Sequence, residues 1–143
     1  MPECIFCAIG GHRAPAEIVY EDDDTIAFLD ILPVSEGHCL IVPKAHARNV
    51  FDIEPESAAS AMRAAVHVAR AVRKAMRADG MNIWQSSEEV AGQTVFHFHL
   101  HVVPRKKGDG GIRFAGRHRA DPAALRAIAD RIRAELNSQS PQI

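Results

Sequence analysis

The sequence predicts an α+β fold, and three features predict it. About five short segments rich in β-branched and aromatic residues read as strands. One long segment, 55–79, repeats apolar residues at steps of three and four, the period of an amphipathic helix. A second helical pattern begins at Asp121-Pro122, after a glycine-rich, basic loop. Strands around one long helix and a terminal helix suit an antiparallel sheet with helices packed against it. The 143 residues fit a single domain, with its core at about 4–105 and a C-terminal loop and helix over 106–137.

Taken in order, Cys4 to Gly11 predicts one or two helical turns ended by glycine. Glu17–Glu21 and Thr25–Asp30 form a hairpin across the acidic turn Asp22-Asp23-Asp24. Gly37 to Pro43 is a third strand, with His38 and Cys39 on opposite sides. The helix over 55–79 places Ala58, Met62, Ala65, Ala69, Val72 and Met76 on its apolar stripe, and Gly80 caps it. Arg63, His67, Arg70, Lys74 and Arg77 follow the polar side, where solvation explains them. Met81 to Ser87 is a fourth strand. The terminal helix turns Leu125, Ile128, Ile132 and Leu136 inward, and 138–143 are expected to fray.

Composition excludes several classes. Apolar residues make up 47% and charged residues 24%, ordinary for a globular protein. No apolar run approaches the roughly 18 residues of a membrane span, and the N-terminus has no signal-peptide pattern. A net charge of −1 argues against bulk attraction to nucleic acid or membrane. Three cysteines are too few for a disulfide framework, which points to a reducing, cytoplasmic setting.

The fifth strand, Phe96 to Val103, carries the chemistry. On a strand, His97, His99 and His101 fall on one face, while Phe96, Phe98, Leu100 and Val102 fall on the other. Alternate residues lie roughly 6.6 Å apart, so neighbouring imidazoles can share a bound group. Two chemistries fit the row. The imidazoles are metal ligands, or one is a nucleophile and its neighbours are donors. Cys4 and Cys7 have the two-residue spacer of zinc sites, a spacing that a redox pair or two buried thiols also fit.

The residues around the row resolve the choice. Gly92-Gln93-Thr94-Val95 leads into His-φ-His-φ-His-φ-φ (φ apolar), and Pro104-Arg105 follows. This run resembles the signature of the histidine triad (HIT) family of nucleotide hydrolases and transferases, and the resemblance extends over about Cys4 to Arg105. It implies attack by His99 on the α-phosphate of an adenosine-type nucleotide, through a nucleotidyl-histidine intermediate. His101, His38, Gln93 and Thr94 would donate to phosphoryl oxygens, and Asp30 would hold the ribose hydroxyls. Ile5, Phe6, Ile9, Phe28 and Ile31 match the apolar wall of the nucleoside pocket; read from the residues alone, they are core. Gly92 belongs to the signature, and Ser86 stands where the family usually has an amide to the α-phosphate. The resemblance to bacterial zinc-containing members implies a structural zinc on Cys4, Cys7, His46 and His97, and a homodimer. No catalytic metal is needed. Hint-like members cleave phosphoramidates such as AMP-amines, and Fhit-like members cleave dinucleoside polyphosphates. Two other classes compete: a metal-dependent hydrolase with the histidine row as ligands, and a non-catalytic nucleotide-binding module.

Overall fold

The computed structural model describes residues 3–139. Five strands form one antiparallel sheet in the order β1-β2-β3-β5-β4. The strands are β1 (Ile18–Glu21), β2 (Thr25–Leu29), β3 (Cys39–Pro43), β4 (Gly80–Trp84) and β5 (Leu100–Arg105). Helix α1 (Ile5–Gly10) precedes β1, α2 (Pro55–Met76) joins β3 to β4, and α3 (Pro122–Ser138) follows β5.

Alternation along the strands divides the molecule into two layers of core. Val19, Ala27, Leu29, Cys39, Ile41 and Val102 pack against α2 and α3. Ile26, Phe28, Leu40 and Val42 face the other way and pack against Phe6 and Ile9 of α1. His38, His99 and His101 share parity with this second set, so the side opposite the long helices carries the site. Asp121 caps α3 as its sequence suggests, accepting from the Ala124 N–H at 3.2 Å. Leu125, Ile128 and Ile132 are buried and Leu136 is partly buried, all against the α2 side.

Four local expectations need correction. The triad strand begins at Leu100, not Phe96. Its pairing with β3 stops at Leu100↔Ile41, two residues short of Pro43. Proline has no N–H to extend a ladder, and Phe98 instead donates its N–H to the Ala47 carbonyl at 2.8 Å. Phe96 consequently leaves the apolar face and lies exposed, with the Arg48 guanidinium 4.3 Å over its ring.

Helix α2 ends at Met76, and its cap is Arg77 in the left-handed conformation (φ 53°, ψ 46°). Backbone bonds from Arg77 to Lys74 and from Ala78 to Arg73 offset that strain, and Gly80 opens β4 instead. The buried stripe of α2 is Ala61, Ala64, Ala65, Val68, Ala71, Val72 and Met76, while Met62 is exposed. An alanine-rich helix has apolar residues on more than one side, so spacing alone left the stripe displaced. The fraying expected from Ser138 does not begin there. Ser138 is the last helical residue, and 140–143 lie outside the described residues.

Candidate active site and metal centre

His99 is buried at the sheet surface, and its Nδ1–H donates to the His97 carbonyl at 2.7 Å. A carbonyl oxygen only accepts, so the partner fixes the tautomer. Nε2 therefore keeps its lone pair. Burial pushes the His99 pKa below the ordinary imidazole value, against the opposing pull of that carbonyl and of Asp30. The ring is neutral at neutral pH and exposes one nucleophilic nitrogen. Phe6 closes one flank, its ring edge-on at 5.1 Å from His99.

The tautomers of His38 and His101 follow from a chain of partners. The Val34 N–H donates to His38 Nδ1 at 3.1 Å, so His38 carries its proton on Nε2. That Nε2 lies 3.0 Å from His101 Nδ1, which must accept. His101 is left with an Nε2–H donor, its ring 4.8 Å from that of His99. Burial, with repulsion from neighbouring charges, lowers both pKa values to about 3. The Asp30 carboxylate stands 3.6 Å from His38 Nε2 and would pair with a charged ring. At that distance it is not a hydrogen bond, and His38 is 1% exposed. Desolvation wins, and His38 stays neutral.

Asp30 uses its other oxygen to accept from the Leu32 N–H at 2.9 Å, leaving one oxygen toward the site. Ile5 and Ile31 are exposed, whereas Phe6, Ile9 and Phe28 are buried core beneath them. Of the five proposed wall residues, three therefore lie in the core and two at the surface. Thr94 is exposed, and Ser86 is half-buried with its Oγ beside Gly92. Gly92 sits at φ +97°, a conformation that favours glycine.

Gln93 is the clear reassignment. Its amide donates to the Arg48 and Val95 carbonyls at 2.7 and 3.1 Å. Its carbonyl oxygen accepts from the Glu88 N–H and from Asn49 at 2.8 and 3.2 Å. Its backbone N–H goes to the Glu88 carbonyl. Every donor is consumed inside the protein, so Gln93 braces the loop and has none left for a phosphate.

The sequence reading also missed Trp84, which stacks on His101 at 4.8 Å and 15° between planes. Phe114, from the basic loop, meets Trp84 edge-on. Strand pairing of Trp84 with His101 was the signal available, once register was known.

The second cluster lies at the other end of the row. His97 Nε2–H donates to the Pro43 carbonyl at 2.7 Å, so Nδ1 carries the lone pair. Around that Nδ1 stand Cys4 Sγ at 3.4 Å, Cys7 Sγ at 3.6 Å and His46 Nδ1 at 3.1 Å. One ring lone pair cannot satisfy three such neighbours by hydrogen bonding. A tetrahedral zinc, with bonds of about 2.3 Å to sulfur and 2.0–2.1 Å to nitrogen, sets S···N edges near roughly 3.5 Å and N···N edges near roughly 3.3 Å. The four side chains fit that ion, with all ligand atoms within 4.8 Å of one another. Asp30, His38 and His101 form the other such group among the described residues. His97, His99 and His101 do not converge on one point, which removes the row-wide metal site of the metal-dependent hydrolase.

Comparison with known proteins identifies the family. The HIT domain model matches residues 12–108. The chain belongs to the histidine triad family. It is 44% identical over 108 residues to the "Protein hit" of Bacillus subtilis, covering 75% of this chain and 74% of that one. An adenosine 5′-monophosphoramidase of Saccharomyces cerevisiae is 38% identical over 109 residues, 76% of this chain and 66% of that one. Among solved structures, a zinc-bound histidine triad protein from Mycobacterium smegmatis superposes with a TM-score of 0.84 at 41% identity, over 94% of this chain and 93% of that one.

Proposed function

We propose that this HIT protein is a hydrolase or transferase acting at the α-phosphate of an adenosine-type nucleotide. The observation that carries the reading is the orientation of His99: Nδ1–H held by a backbone carbonyl, Nε2 bare, beside the Nε2–H donor of His101. The Nε2 lone pair of His99 attacks phosphorus, a P–N bond forms, and the bond to the leaving group breaks. The leaving group takes the electron pair and a proton, which His101 or Thr94 supplies. Water then attacks the same phosphorus, one of its protons returns to whichever of His101 or Thr94 gave its own, the P–N bond breaks, and the nucleotide leaves with His99 neutral again. His38 holds His101 in its donating tautomer, and the donors meet charge as it develops on the phosphoryl oxygens.

Asp30 accepts from the ribose, Ile5 and Ile31 with Phe6, Ile9 and Phe28 enclose the nucleoside, and Ser86, Gly92 and Thr94 border the phosphate. A structural zinc on Cys4, Cys7, His46 and His97 would tie the N-terminal segment to the loop after Pro43. The yeast relative's phosphoramidase name favours P–N substrates; dinucleoside polyphosphates are the second reading. The homodimer and the cytoplasmic setting are part of the proposal, with the exposed Ile83 on edge strand β4 in keeping with self-association.

The test compares an AMP-amine with diadenosine polyphosphates at equal enzyme, with rapid acid-free quenching and mass analysis of the His99 peptide. Faster turnover of the AMP-amine and an adenylyl adduct on His99 are expected. Binding of AMP without turnover of either substrate would reduce the protein to a binding module.

A further inference from the structure

The polar side of α2, expected to be a solvated stripe, is not open along its length. Its C-terminal half meets the end of α3, and a cavity of about 730 Å³ lies there. Arg70, Arg73, Lys74 and Arg77 line it, with His67 at one side and Ser138 and Gln139 closing the end. Gln139 is tied in place by its amide, which donates to the His67 carbonyl at 3.1 Å. His67 in turn stacks on Tyr20, 6.2 Å away and 17° from parallel. Arg63, which the spacing put on the same stripe, is not in the cavity and turns to Ser60 instead.

Charge at this place is uncompensated. The chain has a net charge of −1 and pairs many of its cations, with Arg48, Arg105 and Arg133 all held by carboxylates. Among the described residues, none of Arg70, Arg73, Lys74 and Arg77 lies within ion-pair distance of an acid. They face one another at i+3 and i+4, spacings at which like charges destabilise a helix. The negative end of the helix dipole relieves only the last turn, where Arg73 and Lys74 sit.

We propose that this cavity is a binding site for a linear oligophosphate of at least three phosphoryl groups, separate from the triad cleft. Arg70 to Lys74 covers about 6 Å of helix axis, about one turn, and Arg77 at the left-handed cap extends the row. One phosphate meets one or two of them; a short chain of phosphates meets all four. Three of the four are arginines, whose planar fork pairs two phosphate oxygens at once. An acidic peptide fits less well, because Ala78 is the one apolar residue of the lining and offers a peptide little to bury against. A nucleic acid needs a longer basic track than two turns of helix.

The probe is sodium tripolyphosphate, titrated calorimetrically into the full chain at low and moderate salt. Wild type and His99→Ala should bind it equally, with AMP failing to compete, and its melting temperature should rise with the ligand. Arg73→Gln with Arg77→Gln should weaken binding at least tenfold. Arg63→Gln with Arg126→Gln removes the same charge elsewhere and should change it less than twofold. Thermal melts of both double variants confirm folding, and Lys74→Gln, a milder change, should give an intermediate loss. Absence of binding at low salt, competition by AMP, or equal losses in the two double variants would overturn the proposal. So would tighter binding of a single-stranded oligonucleotide than of tripolyphosphate.

Discussion

His97 and His99 stand two residues apart, both buried, and each gives one ring N–H to a backbone carbonyl at 2.7 Å. They end up with opposite chemistry because the carbonyls take different nitrogens. Pro43 takes Nε2 of His97, which turns Nδ1 to two thiols and a second imidazole. His97 itself takes Nδ1 of His99, which leaves the Nε2 lone pair free. On the proposed reading, one histidine thereby becomes a ligand and its neighbour a nucleophile. The lesson is that residue type and alternation place the rings, while a single backbone acceptor assigns the role.

That contrast can be broken first at the cleft. His99→Gly should lower turnover by more than about 10³-fold, the scale for loss of a residue that makes and breaks the covalent bond. AMP binding should survive, since ribose and nucleoside contacts lie elsewhere. Residual activity within tenfold of wild type would discard His99 as the nucleophile.

The opposite signature is expected at the metal corner. Chelation, or Cys4→Ser with Cys7→Ser, should lower the melting temperature by about 2–4 °C for each kcal/mol lost. The rate measured well below that temperature should stay within a fewfold of wild type. Loss of catalysis in a chelated, still-folded enzyme would merge the two corners into one functional unit.

Smaller effects sharpen the boundary between them. Asp30→Ala should weaken nucleotide binding by about 1.5–3 kcal/mol, the cost of a hydrogen bond to a charged group. A 2′,3′-dideoxy ligand should show much less, and equal losses would remove Asp30 from ribose recognition. Gln93→Ala strands the partners of four hydrogen bonds and should cost about 1–3 kcal/mol of stability. Its effect on kcat should follow from loop disorder, and proteolysis between Arg48 and Val95 should speed up in parallel.

Near neutral pH, the smallest effect is proton linkage. His38 and His101 are neutral in the folded protein, with pKa values near 3, while the unfolded chain protonates near the ordinary 6.5. The unfolded state thus binds more protons between those values, so stability falls as pH drops from about 6.5 toward 3 and is level above it. His101→Gln should flatten that fall by up to about one proton. An unchanged slope would mean that His101 is charged in the native protein.

Much of this was legible in the residues. Alternation placed Phe98, Leu100 and Val102 toward α2 and α3, and the Cys4–Cys7 spacing marked the corner that gathers His46 and His97. What the sequence hid depends on contacts between distant segments. Pro43 ends a ladder only because β3 pairs with β5 in one register. Gln93 reads as a donor until Arg48, Asn49 and Glu88 come to meet it. Trp84 is an ordinary strand aromatic until pairing sets it on His101. The basic stripe of α2 looks solvated until the end of α3 closes one side of it.

The division of roles rests on which nitrogen carries each proton, and ring-nitrogen NMR of the zinc-loaded, histidine-labelled protein at neutral pH reads that without reference to any substrate. His99 should be protonated at Nδ1 with a bare Nε2 whose signal shifts when AMP binds, and His97 should be protonated at Nε2. The reverse tautomer at His99, or a doubly protonated His99 ring, would contradict the account.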